Sequence, residues 1–148
     1  MVSHLGEIDA LLIERACERL VHEFAEALDT RQFEQLRNLF APDATFCRPA
    51  EPDVVIRGVD AIIESYRSRL QGYRSQHLCT NVLIRVTSND SASGTLRIFF
   101  KAGPADTPAG PSIQPTLEVL GGFEDRFVRT DHGWRFSERR GRLYFQSS

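Results

Sequence analysis

EIDALLIERACERLVHEFAEALD, residues 7–29, decides the fold, because it is long and periodic enough to be an extended amphipathic helix. Ile8, Leu12, Leu20, Phe24 and Leu28 recur at multiples of four. Leu11, Ala16 and Ala27 widen the stripe, and Glu14, Arg15, Glu18, Arg19, Glu23 and Glu26 fill much of the remaining surface. Downstream, Thr30 is placed to cap a second, short helix carrying Phe33, Leu36, Leu39 and Phe40, which Pro42 ends. Ala44–Cys47 and Val54–Ile56 read as short strands. Residues from about Asp60 to Leu70 read as a third helix that buries Ile62, Ile63, Tyr66 and Leu70. The remainder turns to strands: Gln76–Thr87, Ser93–Lys101, Thr116–Thr130 with a bend or bulge at Gly121-Gly122, and Trp134 to about Tyr144. The tight turn Asp131-His132-Gly133 joins the last two. Three helices followed by long antiparallel strands predict an α+β domain whose sheet curls around the first helix.

At 148 residues the chain fits one domain. We place it over residues 1–145 and set Gln146 onward aside as a tail, because Leu143–Ser148 resembles the protease site of expression tags. The segment Gly103–Pro115 holds four prolines and two glycines, a composition for a loop that either merely crosses between strands or covers a pocket mouth. A net charge of −2, without runs of either sign, gives no field for nucleic acid or an anionic membrane. Glu7, Asp9 and Glu14 interrupt the first residues, and no segment has the length of a membrane span, so a cytoplasmic protein is expected. Cys17, Cys47 and Cys79 lie far apart and read as reduced thiols. His4, His22 and His132 stand alone. With no metal-ligand spacing, nucleotide-binding glycines or nucleophile elbow, no cofactor is expected.

Four stretches, in order and over nearly the whole chain, resemble the SnoaL-like family of polyketide cyclases, dehydratases and dehydrochlorinases. They are Phe24-Ala25-Glu26-Ala27-Leu28-Asp29 with Leu36, Leu39-Phe40 and Asp43-Ala44; Arg57-Gly58-Val59-Asp60-Ala61-Ile62; His77-Leu78-Cys79-Thr80-Asn81; and Phe123–Thr130 with Gly133-Trp134-Arg135-Phe136 and Glu138-Arg139-Arg140. The resemblance implies the cone-shaped nuclear-transport-factor-2-like (cystatin-like) fold, with one deep apolar pocket at its wide end.

Asp29 ends the first helix, where a carboxylate meets the unfavourable end of the helix dipole. From position alone it caps the next helix or faces water. In SnoaL-like dehydratases and dehydrochlorinases, however, the aspartate at this position holds the catalytic histidine. His77 matches that histidine, and the two lie 48 residues apart (77 − 29), as in the family. Imidazole suits proton transfer because its ordinary pKa lies near neutrality, and a carboxylate on the far ring nitrogen fixes its tautomer. With unbroken alternation, His77 shares a face with Cys79 and Asn81, opposite Leu78, Val82, Ile84 and Val86. Arg139 matches an arginine that the resemblance gives a charge-stabilising role; its own position equally suits a solvent-facing residue among Arg135, Arg140 and Arg142. Phe24 departs from the family, which carries tyrosine or lysine there, so the proton donor falls to Tyr66, Tyr73 or water. Tyr66, Phe99, Asn81 and Phe24 are the expected substrate-binding residues.

The expected function is a cofactor-independent lyase, isomerase or cyclase acting on a small apolar molecule of polyketide, steroid or terpenoid type. The alternatives are a non-catalytic binding or structural subunit, including the small subunit of a ring-hydroxylating dioxygenase. Apolar residues on both alternations of the sheet predict a homo-oligomer, most simply a dimer through the outer face.

Overall fold

The computed structural model describes residues 5–105 and 117–147. The elements in chain order are α1 (Glu7–Asp29), α2 (Phe33–Arg37), β1 (Phe40–Arg48), β2 (Glu51–Arg57), α3 (Val59–Arg69), β3 (Tyr73–Val86), β4 (Ser91–Pro104), β5 (Leu117–Thr130) and β6 (Gly133–Gln146). All six strands join one curved sheet in the order β2-β1-β6-β5-β4-β3, whose edge strands do not close on each other. Every junction is antiparallel except β1 with β6, which is parallel. α1 packs against β3, β6 and β4, which gives the expected α+β cone. No helix among the described residues is long and apolar enough to cross a membrane.

The bounds of α1 are those expected, but its buried face is not. A four-residue step overruns a 3.6-residue turn by about 40°, so positions five such steps apart, Ile8 and Leu28, end on opposite faces. Ile13, Cys17, Leu20, Val21, Phe24 and Leu28 enter the core, while Ile8, Leu11 and Leu12 are exposed. Thr30 closes α1 rather than opening α2: its hydroxyl donates to the Glu26 carbonyl at 2.7 Å, and Gln32 precedes α2 without a side-chain cap. Phe40 and Pro42 belong to β1. Pairing with β6 lapses between Phe40 and Thr45, where a residue with no N–H costs the ladder nothing.

The strand carrying His77 changes face partway along. Between Thr80 and Leu83 its register with β4 shifts, and Asn81 takes a left-handed backbone conformation (φ 54°). Ser75, His77 and Cys79 face inward before this bulge, and Val82, Ile84 and Val86 face inward after it. Leu78 and Leu83 point out. The expected opposition of His77 to Val82, Ile84 and Val86 is thereby reversed.

The bulge expected at Gly121-Gly122 of β5 falls on the partner strand: the register shifts between Leu120 and Gly121, where β6 carries the extra residue, Tyr144. Gln146 is sheet, not tail: it pairs with Val119, and the Ser147 N–H donates to the Glu118 carbonyl at 2.9 Å. β4 continues to Pro104, opposite Tyr73, the Ala105 N–H donates to the Gly72 carbonyl at 2.9 Å, and residues 106–115 of the loop considered as a lid lie outside the described residues.

Two glycines, on β5 and β6, let the corner at the end of β1 close onto the sheet. A Cβ on Gly141 would collide with the Pro49 nitrogen and lie 2.6 Å from the Arg48 carbonyl carbon. One on Gly121 would lie 2.5 Å from the Arg142 carbonyl oxygen and 3.2 Å from Pro49 Cβ. The corner Arg48-Pro49 therefore rests on bare backbone.

Candidate active site

α1 delivers Asp29 to the start of β3. No basic residue occupies the last turn of α1 to offset the dipole. The carboxylate is held instead by donors from β3. The His77 backbone N–H reaches Oδ2 at 2.7 Å, the Ser75 hydroxyl donates to Oδ1 at 2.9 Å, and His77 Nδ1 lies 2.5 Å from Oδ1. Both side chains are over nine-tenths buried, at 8% and 9% exposed. A carboxylate can only accept, so Nδ1 carries the ring proton and Nε2, on the side away from Asp29, keeps the basic lone pair. The ring stacks on Phe100 with centroids 4.7 Å apart.

Arg31 fastens this junction. In a left-handed conformation itself (φ 58°), it donates to the Leu28 carbonyl at 2.5 Å, to Ser75 Oγ at 3.0 Å and to the Tyr73 carbonyl at 2.6 Å. It thus caps the carbonyl end of α1 and ties it to β3. Burial lowers its pKa, against the opposing pull of Asp29.

His77 lines a cavity of about 250 Å³ whose walls are mostly apolar: Phe24, Leu28, Ile98, Phe100, Val119 and Phe123. Tyr66 and Tyr73 also reach it, as does Gln146 from the segment set aside as a tail. Burial pushes the Tyr66 phenol well above its usual range, and its hydroxyl has no hydrogen-bond partner among the described residues. It therefore stays protonated and free to donate.

Phe24 is both cavity wall and core, with ring centroids 5.8 Å from Tyr66, 6.0 Å from Phe40 and 6.3 Å from Phe123. Phe24→Tyr keeps that packing, and we expect it to lower unfolding stability in urea by no more than about 1–3 kcal/mol, the cost of an unsatisfied hydroxyl. A larger loss places the para position in sealed core.

Three expected site residues lie elsewhere. Asn81 is exposed at the bulge, accepts from Thr80 Oγ1 at 2.8 Å and does not line the cavity. Phe99 alternates to the outer face, where Lys101 Nζ lies 6.0 Å from its ring centroid, and Phe100 takes the inward place. Arg139 is neither solvent-facing nor among the cavity-lining residues. It is fully buried and grips Asp125 through both carboxylate oxygens, at 2.8 and 3.0 Å. Its guanidinium carbon lies 4.4, 4.1 and 4.3 Å from the ring centroids of Phe24, Phe123 and Phe136. Burial pushes the Asp125 carboxyl up, against the opposing pull of Arg139.

Sequence reasoning missed Ser75, Arg31 and Arg48, the last a cavity-lining arginine. Ser75 was within reach, since it shares a strand face with His77 two residues on. Among the described residues, no group of three or more His, Cys, Asp or Glu is placed to hold a metal ion.

A family model described as a SnoaL-like domain matches residues 9–140. Among solved structures, a scytalone-dehydratase-like protein of Novosphingobium aromaticivorans superposes with a TM-score of 0.80 at 22% identity, over 93% of this chain and 87% of that one. Hexachlorocyclohexane dehydrochlorinase LinA-type3 of Novosphingobium barchaimii gives 0.79 at 17% identity, over 96% and 93%. A dehydratase-like protein of the NTF2-like family from Streptomyces avermitilis gives 0.76 at 21% identity, over 90% and 98%. No curated protein matches by sequence.

Proposed function

We propose an enzymatic function for this chain, which belongs to the family of SnoaL-like domains: a cofactor-independent lyase or isomerase that removes a proton from an acidic C–H of a small, largely apolar molecule. The observation that carries the reading is the 2.5 Å contact of His77 Nδ1 with a buried Asp29, beside an apolar cavity that His77 lines. A pure binding module has no need of an imidazole whose second nitrogen is locked to a carboxylate. Nε2 takes the proton, Asp29 steadies the imidazolium that results, and Tyr66 supplies a proton to a leaving hydroxyl or to the rearranged carbon. Dehydration and dehydrochlorination, the reactions after which structural neighbours are named, are eliminations, which this machinery also suits.

The test is catalysed exchange of C–H for deuterium, followed by mass spectrometry across a panel of aromatic and alicyclic ketones and β-hydroxy carbonyl compounds. Wild-type protein should accelerate exchange or elimination for some members of the panel, and His77→Ala should not. Equal behaviour of the two proteins removes the reading.

The setting we propose is cytoplasmic, consistent with three free thiols, of which burial pushes that of Cys17 up to about 12. We also propose that the outer sheet face pairs with a second copy. It carries outward Leu78 and Leu83 beside alternating charges, with Glu124 held by Arg140 at 2.9 Å and by Arg142 at 2.8 Å. Such a mixed row is able to complement itself about a two-fold axis. Sedimentation should show a dimer at micromolar concentration; a monomer there rules this out.

A further inference from the structure

The cavity holds a second polar centre besides His77. Arg48, at the end of β1, is 8% exposed and lines the cavity. Its Nη2 donates to Ser65 Oγ at 2.9 Å, and Ser65 is in turn anchored to the Ile62 carbonyl at 2.6 Å. Its guanidinium carbon lies 5.0 Å from the Tyr66 ring centroid and 6.0 Å from that of Phe46. The side chain is thereby fixed in place, yet no carboxylate pairs with it among the described residues, and Nε and Nη1 have no hydrogen-bond partner there. The adjacent Glu51 is engaged by Arg69, at 3.1 Å.

A buried cation without a counterion is costly, and burial indeed lowers the Arg48 pKa. Tyr66 and Glu51 oppose that shift and Arg69 adds to it, yet burial prevails. The lining includes Arg48, Arg69 and His77 and, among the described residues, no Asp or Glu, since Asp29 stands behind His77. Arg139, the other deeply buried arginine, shows the contrast: it has its own carboxylate, Asp125.

We propose that the substrate is a small apolar acid whose carboxylate is received by the free edge of Arg48 while its apolar body lies against Phe24, Ile98, Phe100 and Phe123. Guanidinium offers paired donors that match a carboxylate, and desolvation by the surrounding rings strengthens the contact. The inference rests on the cavity's being the site of chemistry, and it narrows the substrate class from apolar molecules at large to apolar carboxylates.

Isothermal titration with cinnamate and its uncharged isostere cinnamamide tests the proposal without a known substrate. A charge-assisted contact of about 1.5–3 kcal/mol corresponds to a preference of roughly tenfold to a hundredfold for the acid. Arg48→Met should erase that preference, bringing acid and amide to equal affinity. Arg48→Lys, which keeps the charge in case the methionine variant does not fold, should retain part of it. His77→Gln should keep it. Equal binding of acid and amide by wild-type protein, a preference that survives in Arg48→Met, or one lost in His77→Gln alone overturns the assignment. If the acid is preferred but no proton exchange is catalysed, the catalytic reading fails and the anion site stands.

Discussion

Replacing Asp29 by Asn should lower turnover by a factor on the order of 10⁴ while leaving the chain folded, as the matching exchange does in a Ser-His-Asp triad. The carboxylate accepts from three donors, the Ser75 hydroxyl, the His77 backbone N–H and His77 Nδ1–H. An amide of the same shape has only one accepting oxygen. Turned toward the backbone N–H, it presents its NH₂ to the ring and to Ser75. Nδ1 must then accept, the ring proton moves to Nε2, and the base is lost to the substrate. Turned the other way, it sets two donors face to face at the backbone. Either orientation also removes the charge that steadies the imidazolium. His77→Ala should abolish turnover, and the double variant should be little worse, because the two residues act as one unit. Initial rates on any compound found in the exchange panel check this. Independent, multiplying losses break the pair apart as a mechanism.

The second large effect is on stability. Arg139→Met strands the Asp125 carboxylate where water does not reach, and breaking a buried pair in this way typically costs about 3–5 kcal/mol. Asp125→Leu combined with Arg139→Met should recover most or all of that loss, since the exchange also removes two desolvation penalties and the orphaned Arg139 Nη1. Urea unfolding of the single and double variants measures both terms. A single variant that loses less than about 1 kcal/mol means that the ion pair is not what holds this part of the core.

What the sequence made legible, and what it hid, follows from the range of the interactions. The long helix and the six strands rest on local periodicity and turn residues, and they were readable. The partnership of Asp29 with His77 was readable only through the family likeness, because nothing local marks a helix-ending aspartate as a partner for a strand histidine. The phase of β3 was not readable: one residue, Asn81, takes up a half-period, and alternation counted through it gives the wrong face. The same one-residue parity exchanged Phe99 for Phe100. Asp125 left a usable signal, since it alternates with the inward Phe123 and Phe127, and that position should have suggested a buried partner for Arg139. The parallel contact of β1 with β6 and the burial of Arg48 depend on chain segments far apart, where a single sequence carries no cue.

The corner Arg48-Pro49 sits where it does because Gly141 and Gly121 put no side chain beneath it. Neither glycine lines the cavity, yet Gly141 lies directly beneath the corner that carries Arg48 into its wall. The placement of one wall of the cavity thus depends on a residue outside it. One methyl group added at Gly141 would push on the Pro49 nitrogen and the Arg48 carbonyl carbon, and so would shift the corner that carries Arg48 while every residue lining the cavity stays the same.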